Sequence, residues 1–304
     1  MIEAHGLRKA YGDLEAVKGI DVVVGRGEAF GFLGPNGAGK SSTMRMIAAV
    51  SPTSGGTLRI LGRDPATDGS EIRARIGVCP QEDSLDTDLT VYENLVVYTR
   101  YFGFSRSYAR AKADELLAFV KLTDKRHQMV DDLSGGMKRR LTIARSLVNN
   151  PEMLLLDEPT TGLDPQARHV VWDQLYRLKQ TGVTLVLTTH YMDEAEQLCD
   201  RLVVMDDGQI VAEGAPHELI ARYSTREVVE LRMGVGENEA AAQQVADLGE
   251  RVEVLPDRVL IYTADGEKAA EAAVDRGLQP RSTLVRRSTL EDVFLRLTGR
   301  ALDA

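Results

Sequence analysis

The chain has 304 residues, of which 43% are hydrophobic; that is room for roughly two domains of ordinary size, each with a sizeable core. A formal net charge of −9 argues against nucleic acid or an anionic membrane surface as the main partner. Only two cysteines, Cys79 and Cys199, are present, which excludes a disulfide framework and fits small buried residues in a reducing cytoplasm.

The first residues, "MIEAHGLRKAYG", carry no apolar run of signal-peptide type. No segment approaches the roughly 18 consecutive apolar residues that span a bilayer. The chain is therefore expected to be soluble, and to reach a membrane only through another protein. In chain order, the opening reads as short strands, with "LEAVKGIDVVVGRGE" alternating β-branched residues between glycines. "AFGFLG" is a continuous apolar run that ends in a glycine loop, the pattern of a buried strand feeding the helix "KSSTMRMIAAV". "SPTSGG" is a turn and "TLRILG" the next strand. From Glu82 to Asp132 the character changes: Val91, Leu95, Tyr98 and Phe102 fall at helical spacing, as do Leu116, Leu117 and Val120. A mainly helical insertion is expected there. After Ser134 helix and strand alternate again, with a helix to Val148, strand "MLLLD", a helix from Gln166 to Lys179, strand "TLVLTTH", helix "MDEAEQLC" and strand "RLVVMD". "PHELIARY" leads out of this domain. Beyond it, "EVVELRM", "RVEVL" and "RVLIYT" read as strands, and "EAAAQQVADL", "EKAAEAAVDRG" and "TLEDVFLRL" as helices, a small α+β appendage.

Two stretches carry the chemistry. "GPNGAGKS", Gly34 to Ser41, matches the phosphate-loop pattern in full and lies where it must, after an apolar strand and before a helix. Glycines let the backbone wrap phosphate, and the helix start offers free N–H groups and a positive dipole. Lys40 would reach the β- and γ-phosphates, and the Ser41 hydroxyl would ligate Mg²⁺. "MLLLDEPT" delivers Asp157 to the same end of the sheet, where a carboxylate holds Mg²⁺ directly or through water. Glu158 follows it as the candidate general base. His190 ends "TLVLTTH", at the edge where α/β folds place ligands; it is either structural or a donor to the γ-phosphate. A second glycine loop, "LSGGMKRR", opens another helix. Ser134 there is either an ordinary helix cap or part of a second phosphate cradle.

The ordered set "GPNGAGKS", "CPQ", "LSGGM", "LLLDEP", "TTGLD" and His190 resembles the nucleotide-binding subunit of an ABC transporter, over roughly Ile2 to Ala221. The resemblance implies an α/β P-loop cassette with a RecA-like core, an antiparallel β subdomain and a helical subdomain at about 82–148. Domain limits of 1–222 and 223–304 are expected, the second being a small C-terminal α+β domain. ATP and Mg²⁺ are the implied cofactors. Gly34, Pro35, Asn36, Gly37, Ala38, Gly39, Lys40, Ser41 and Ser42 would hold the phosphates, with Tyr11 stacked on adenine unless it merely packs the core. Gln81 would touch Mg²⁺ and the attacking water, and Asp164 would communicate across a dimer. In such proteins the "LSGG" loop closes on ATP held by a second subunit arranged head to tail, so Ser134, Gly135 and Gly136 are expected to act in trans.

Met137 departs from the commonest residue after "LSGG", glutamine; a thioether has no hydrogen bond to donate. With "STLEDVFLRLTG" in the tail, it resembles the drug- and lipooligosaccharide-exporting ATPases of the daunorubicin-resistance type. That implies a peripheral subunit on the cytoplasmic face of the membrane. It would be bound to ABC-2 type permease subunits and power efflux of drug-like or lipid-like compounds. The rings Tyr92, Tyr98, Tyr101, Phe102 and Phe104 either pack the helical insertion or offer a docking groove. "TLEDVF" either stabilises the appendage or senses the nucleotide state. An importer ATPase is the rival reading, and the absence of a long coiled coil speaks against a soluble repair or translation ATPase.

Overall fold

The computed structural model describes residues 1–299. The chain divides into two compact units, Met1–Gly214 and Ala215–Ala304.

In the first unit, β1 (Ile2–Tyr11) and β2 (Leu14–Val24) form an antiparallel hairpin. β3 (Ala29–Leu33) is buried along its whole length and delivers the chain to α1 (Lys40–Ile47). β4 (Gly55–Ile60) returns to β1, giving the antiparallel sheet β2-β1-β4. α2 (Pro65–Arg75), capped by Asp64, leads into β5 (Ile76–Cys79). The expected helical insertion is α3 (Val91–Tyr101) and α4 (Arg106–Phe119), with α5 (Gly135–Arg145) packed against both. α3 starts in a capping box: Thr90 accepts from the Glu93 backbone, and Glu93 accepts from Thr90. β6 (Met153–Asp157), α6 (Pro165–Gln180), β7 (Thr184–Thr189), α7 (Met192–Leu198), β8 (Arg201–Asp206) and β9 (Gln209–Gly214) complete the unit.

The second sheet runs β5-β6-β7-β3-β8-β9, parallel except for β9. Its inner strands are apolar runs because helices cover both faces. The register decides what lies at the carboxyl edge. Leu33 pairs with Thr189, and Asp157 with Thr188. The segments that follow β3, β6 and β7 therefore leave the sheet side by side, which brings Gly34, Glu158 and His190 to one edge.

The second unit holds α8 (Pro216–Tyr223), β10 (Glu227–Arg232), α9 (Asn238–Val245), β11 (Arg251–Val254), β12 (Val259–Thr263), α10 (Gly266–Asp275), β13 (Ser282–Arg287) and α11 (Leu290–Thr298). Its sheet is antiparallel in the order β11-β12-β10-β13. That is the βαββαβ succession of ferredoxin-like folds. Val229, Leu231, Val259 and Ile261 bury one face against Val245, Ala269 and Ala273. Val228, Leu260 and Tyr262 bury the other with Leu295. α8 packs on α11, so the unit begins one helix earlier than the 222/223 limit read from the sequence.

The "TLEDVF" stretch forms part of this unit's interior. Val293, Phe294 and Asp292 are fully buried. Arg286 holds Asp292 with two hydrogen bonds, at 2.7 and 2.9 Å, and Glu230 with a third at 2.6 Å. Burial works against that guanidinium, but the bonds to Asp292 and Glu230 prevail and raise its pKa. Truncation from Thr289 onward would open this core, so it would report on folding before it reported on sensing. Among the described residues no helix is long and apolar enough to cross a membrane.

Candidate functional site

The loop between β3 and α1 is built on left-handed glycines. Gly34, Gly37 and Gly39 have φ of 159°, 83° and 97°. A Cβ on Gly34 would lie 2.2 Å from the Met205 carbonyl oxygen, and one on Gly39 would lie 2.4 Å from that of Ala16. Only glycine fits at either position. Pro35 and Ala38 shape the loop, Ala38 N–H donating to Pro35 O, while Asn36 and Gly37 form its exposed tip. Lys40 Nζ folds back on the loop and donates to the carbonyls of Gly34 and Pro35, at 2.6 and 2.9 Å. Burial lowers its pKa; the nearby carboxylates of Glu158 and Asp157 oppose that shift. This ammonium is held by two neutral acceptors, and phosphate oxygens are the better partners.

Beside it, Ser41 Oγ lies 3.4 Å from Asp157 Oδ1, which also accepts from the Thr188 hydroxyl. Among the described residues no group of three or more His, Cys, Asp or Glu side chains forms a metal cage. A hydroxyl and one carboxylate next to a phosphate cradle fit Mg²⁺, which keeps water and phosphate as most of its ligands.

Glu158 is the convergence point. It is buried and left-handed, with φ of 46°. Such a conformation in a non-glycine residue costs about 1–2 kcal/mol and clusters at functional sites. Its Oε2 accepts from Gln81 Nε2 at 3.0 Å and from Thr161 Oγ1 at 3.1 Å. His190 Nδ1 stands 3.2 Å from its Oε1 without hydrogen-bond alignment. Gln81, which the resemblance places near Mg²⁺, is here bound to the candidate base. Tyr11 is 45% exposed at the end of β1, and a hydrogen bond with Ser42 lowers its pKa. Lys9 Nζ lies 4.9 Å from the ring centroid, and the exposed part of the ring suits a planar base.

The second glycine loop is elsewhere. Ser134 caps α5, its hydroxyl accepting from Met137 N–H at 3.4 Å. Ser134 and Gly135 are exposed. Ser134, with Gly136, Met137, Arg140, Asp164 and Ala167, borders a groove of about 330 Å³ that includes no phosphate-loop residue; Gly135 lies between two of these lining residues. Asp164 caps α6 by accepting from Ala167 N–H at 2.9 Å. Lys40, Ser41, Gln81, Asp157, Glu158 and His190 are thus gathered in one place, and Ser134, Gly135, Gly136 and Asp164 in another.

Sequence reasoning passed over three groups. Thr188 steadies both carboxylate positions, its hydroxyl donating to Asp157 and accepting from Glu158 N–H. Arg139, inside "LSGGMKRR", is buried and bonds the backbone of Pro159 and Pro80, on two segments at the candidate site. A cation at an inward helical position was the available signal. Glu194 is fully buried; its Oε1 accepts from Thr160 Oγ1 at 2.7 Å and from Trp172 Nε1 at 3.2 Å.

Burial raises the Glu194 pKa above its ordinary 4.5, against the hydrogen bonds that would lower it. Below pH 4.5 both folded and unfolded chains carry the proton. Above it the unfolded chain releases the proton while the fold retains it, so the wild type loses stability as pH climbs through this window. Glu194→Gln removes the titration. Its melting temperature relative to wild type is expected to rise from pH 5 toward pH 8, read by the fluorescence of Trp172. A difference that does not change with pH would mean that the buried carboxyl is already ionised.

The family model described as "ABC transporter" matches residues 17–161, and the model described as "Nodulation factor export protein NodI, C-terminal domain" matches residues 238–299. The chain is 46% identical over 305 residues to the Nod factor export ATP-binding protein I of Paraburkholderia xenovorans, covering 99% of this chain and 98% of that one. It is 45% identical over 302 residues to the protein of the same name from a Rhizobium species, with the same coverage. Among solved structures it resembles a dimeric ATP-binding cassette in a post-hydrolysis state bound to ADP and phosphate. That match has a TM-score of 0.66 and 28% identity over 71% of this chain and 98% of the other. It also resembles cbiO1 of Clostridium perfringens, part of an ABC transporter complex, with a TM-score of 0.68 and 29% identity over 72% and 90%.

Proposed function

This chain belongs to the ATP-binding subunits of ABC transporters, whose ATP hydrolysis is coupled to transport, and we propose that two copies close head to tail on two ATP molecules to drive export through a separate membrane subunit. The observation that carries this reading is that the two phosphate-type loops are held apart: the groove beside the second loop is lined by no residue of the first. One loop holds a triphosphate from the near side. The other, exposed at a helix N-terminus, meets the far side of ATP bound by another copy.

Within each composite site, the phosphate loop, Ser42 and Tyr11 hold the nucleotide. Lys40 exchanges its two carbonyl partners for β- and γ-phosphate oxygens. Ser41 and Asp157, with Gln81 close by, would hold Mg²⁺, which neutralises charge on the transferring phosphoryl group. Glu158 accepts the proton of the attacking water. Gln81 and Thr161 fix its other oxygen. His190, already in contact but not aligned, turns to donate toward the γ-phosphate. Asp164 stands beside the trans cradle, at the start of α6.

The membrane subunit docks in a groove of about 520 Å³ lined by Val50, Val78, Tyr98, Tyr101, Phe102 and Arg145. Tyr101 is 78% exposed there, the kind of amphipathic anchor that interfaces use. We assign this partner to the ABC-2 type and place the chain on the cytoplasmic face of the membrane. The cargo we assign is amphiphilic, drug-like or lipid-like. Relatives named for Nod factor export along 99% of the chain support export, and nothing favours the importer reading. Met137 and the "TLEDVF" tail remain the grounds for the daunorubicin-type branch.

Co-expression with a candidate ABC-2 type membrane subunit tests this reading. The two chains are expected to co-purify, and candidate amphiphiles to stimulate ATP hydrolysis by the complex. Tyr101→Asp is expected to abolish co-purification and leave hydrolysis by the isolated subunit within twofold. A variant that still co-purifies would move the docking site elsewhere.

A further inference from the structure

Arg139 spends all five N–H donors of its guanidinium on backbone carbonyls. Nε donates to Pro159 O at 2.6 Å. One terminal nitrogen donates to Pro80 O at 2.5 Å and Gln81 O at 3.2 Å. The other donates to Asp157 O at 2.9 Å and Glu158 O at 3.0 Å. The side chain is 5% exposed, and the nearest carboxylate it pairs with, that of Asp83, is 3.8 Å away. The guanidinium therefore acts chiefly as a fixed fork of donors.

The carbonyls of Asp157, Glu158 and Pro159 are consecutive. In an extended chain successive carbonyls point to opposite sides. Here all three converge on one cation, and the residue in their midst is left-handed, with φ of 46° at Glu158. That same turn aims the carboxylate at Gln81 and His190. The fork's remaining arm holds the backbone of Gln81 itself.

We propose that Arg139 is a positioning residue for hydrolysis: it holds Glu158 in the left-handed conformation and fixes Gln81 beside it. Without the fork, Glu158 relaxes to an ordinary φ and its carboxylate leaves the water site. Because Arg139 stands on α5, the helix that begins with Ser134 and Gly135, it also ties the trans-acting cradle to its own chain's base. The kinetic part of this inference rests on Glu158 being the base; the conformational part does not.

Thermal unfolding of a four-variant cycle tests the conformational part without any activity. Glycine tolerates positive φ and alanine does not, whereas at ordinary φ glycine is the less stable of the two. With Arg139 present, E158G is expected to melt above E158A. In the R139K background the order is expected to reverse. An unchanged order would overturn the proposal, because Glu158 would be left-handed for some other reason. Should R139K not fold, R139Q takes its place in the cycle. Failure of both to fold would make Arg139 a folding residue and overturn its positioning role.

The kinetic arm compares R139K with R201K. Arg201 is a similarly multiply bonded arginine, held by Glu28 and the Val23 carbonyl away from the site. R139K is expected to lower kcat at least 30-fold with the nucleotide Kd within threefold, and R201K to leave kcat within twofold at a comparable loss of melting temperature. Equal kcat losses would make the effect one of stability and overturn the proposal. A reversed melting order with an unchanged kcat would instead confirm the clamp and remove Glu158 as base.

Discussion

Glu158→Gln should leave ATP bound and reduce turnover by about two to four orders of magnitude, the usual contribution of a general base. The geometry makes this a specific expectation. Glutamine is isosteric with glutamate, and its side-chain oxygen still accepts from Gln81 and Thr161. Steric fit and the left-handed backbone at this residue are kept. What is lost is the site that receives the proton of the attacking water. The ATP-closed dimer then has no way to reopen by hydrolysis and should accumulate. Size-exclusion chromatography with light scattering reads it directly: monomer without nucleotide, dimer with ATP and Mg²⁺. Near wild-type hydrolysis by this variant would remove Glu158 as the base and leave His190 to explain.

The contrast between what the sequence revealed and what it hid has a physical reason. Runs buried on both faces, such as "AFGFL" and "MLLLD", announce themselves as strands because composition alone separates them from their surroundings. β13 does not, since most of Ser282–Arg287 is exposed and it lacks a clear apolar alternation. α2 was hidden by Gly69 and by a break at Asp68, where φ and ψ leave the helical range. β9 is mostly solvated on an edge, and β5 is only four residues long. The phosphate loop and the carboxylate pair were legible because their spacing is local. Arg139 was not, because its five acceptors come from two segments about 20 and 60 residues away in the chain. Its importance exists only after folding. Glu194 was hidden for the same reason: an acidic residue in "MDEAEQLC" reads as solvated until α7 turns it inward.

Gly135→Asp should abolish hydrolysis while sparing the chain's own ATP binding. Gly135 is exposed, and a Cβ added there meets no atom within 4 Å. Its φ is not among the positive values, so a side chain is not strained. As the first residue of α5 it is a favourable place for a carboxylate, which interacts well with the helix dipole. The monomer should therefore fold at least as well as wild type. Gly136 offers no such clean test, because its added Cβ would lie 2.8 Å from the Ala167 Cβ. In a closed dimer the new carboxylate would face the γ-phosphate held by the partner. Two like charges about 4 Å apart, at an effective dielectric near 20, repel by about 4 kcal/mol, roughly a thousandfold in closure. The double variant G135D/E158Q isolates that term, since neither copy can hydrolyse. It should bind nucleotide like E158Q alone and yet remain monomeric with ATP and Mg²⁺. If it dimerised as readily as E158Q, the Ser134–Gly136 loop would not face nucleotide, and its glycines would serve only to start a helix.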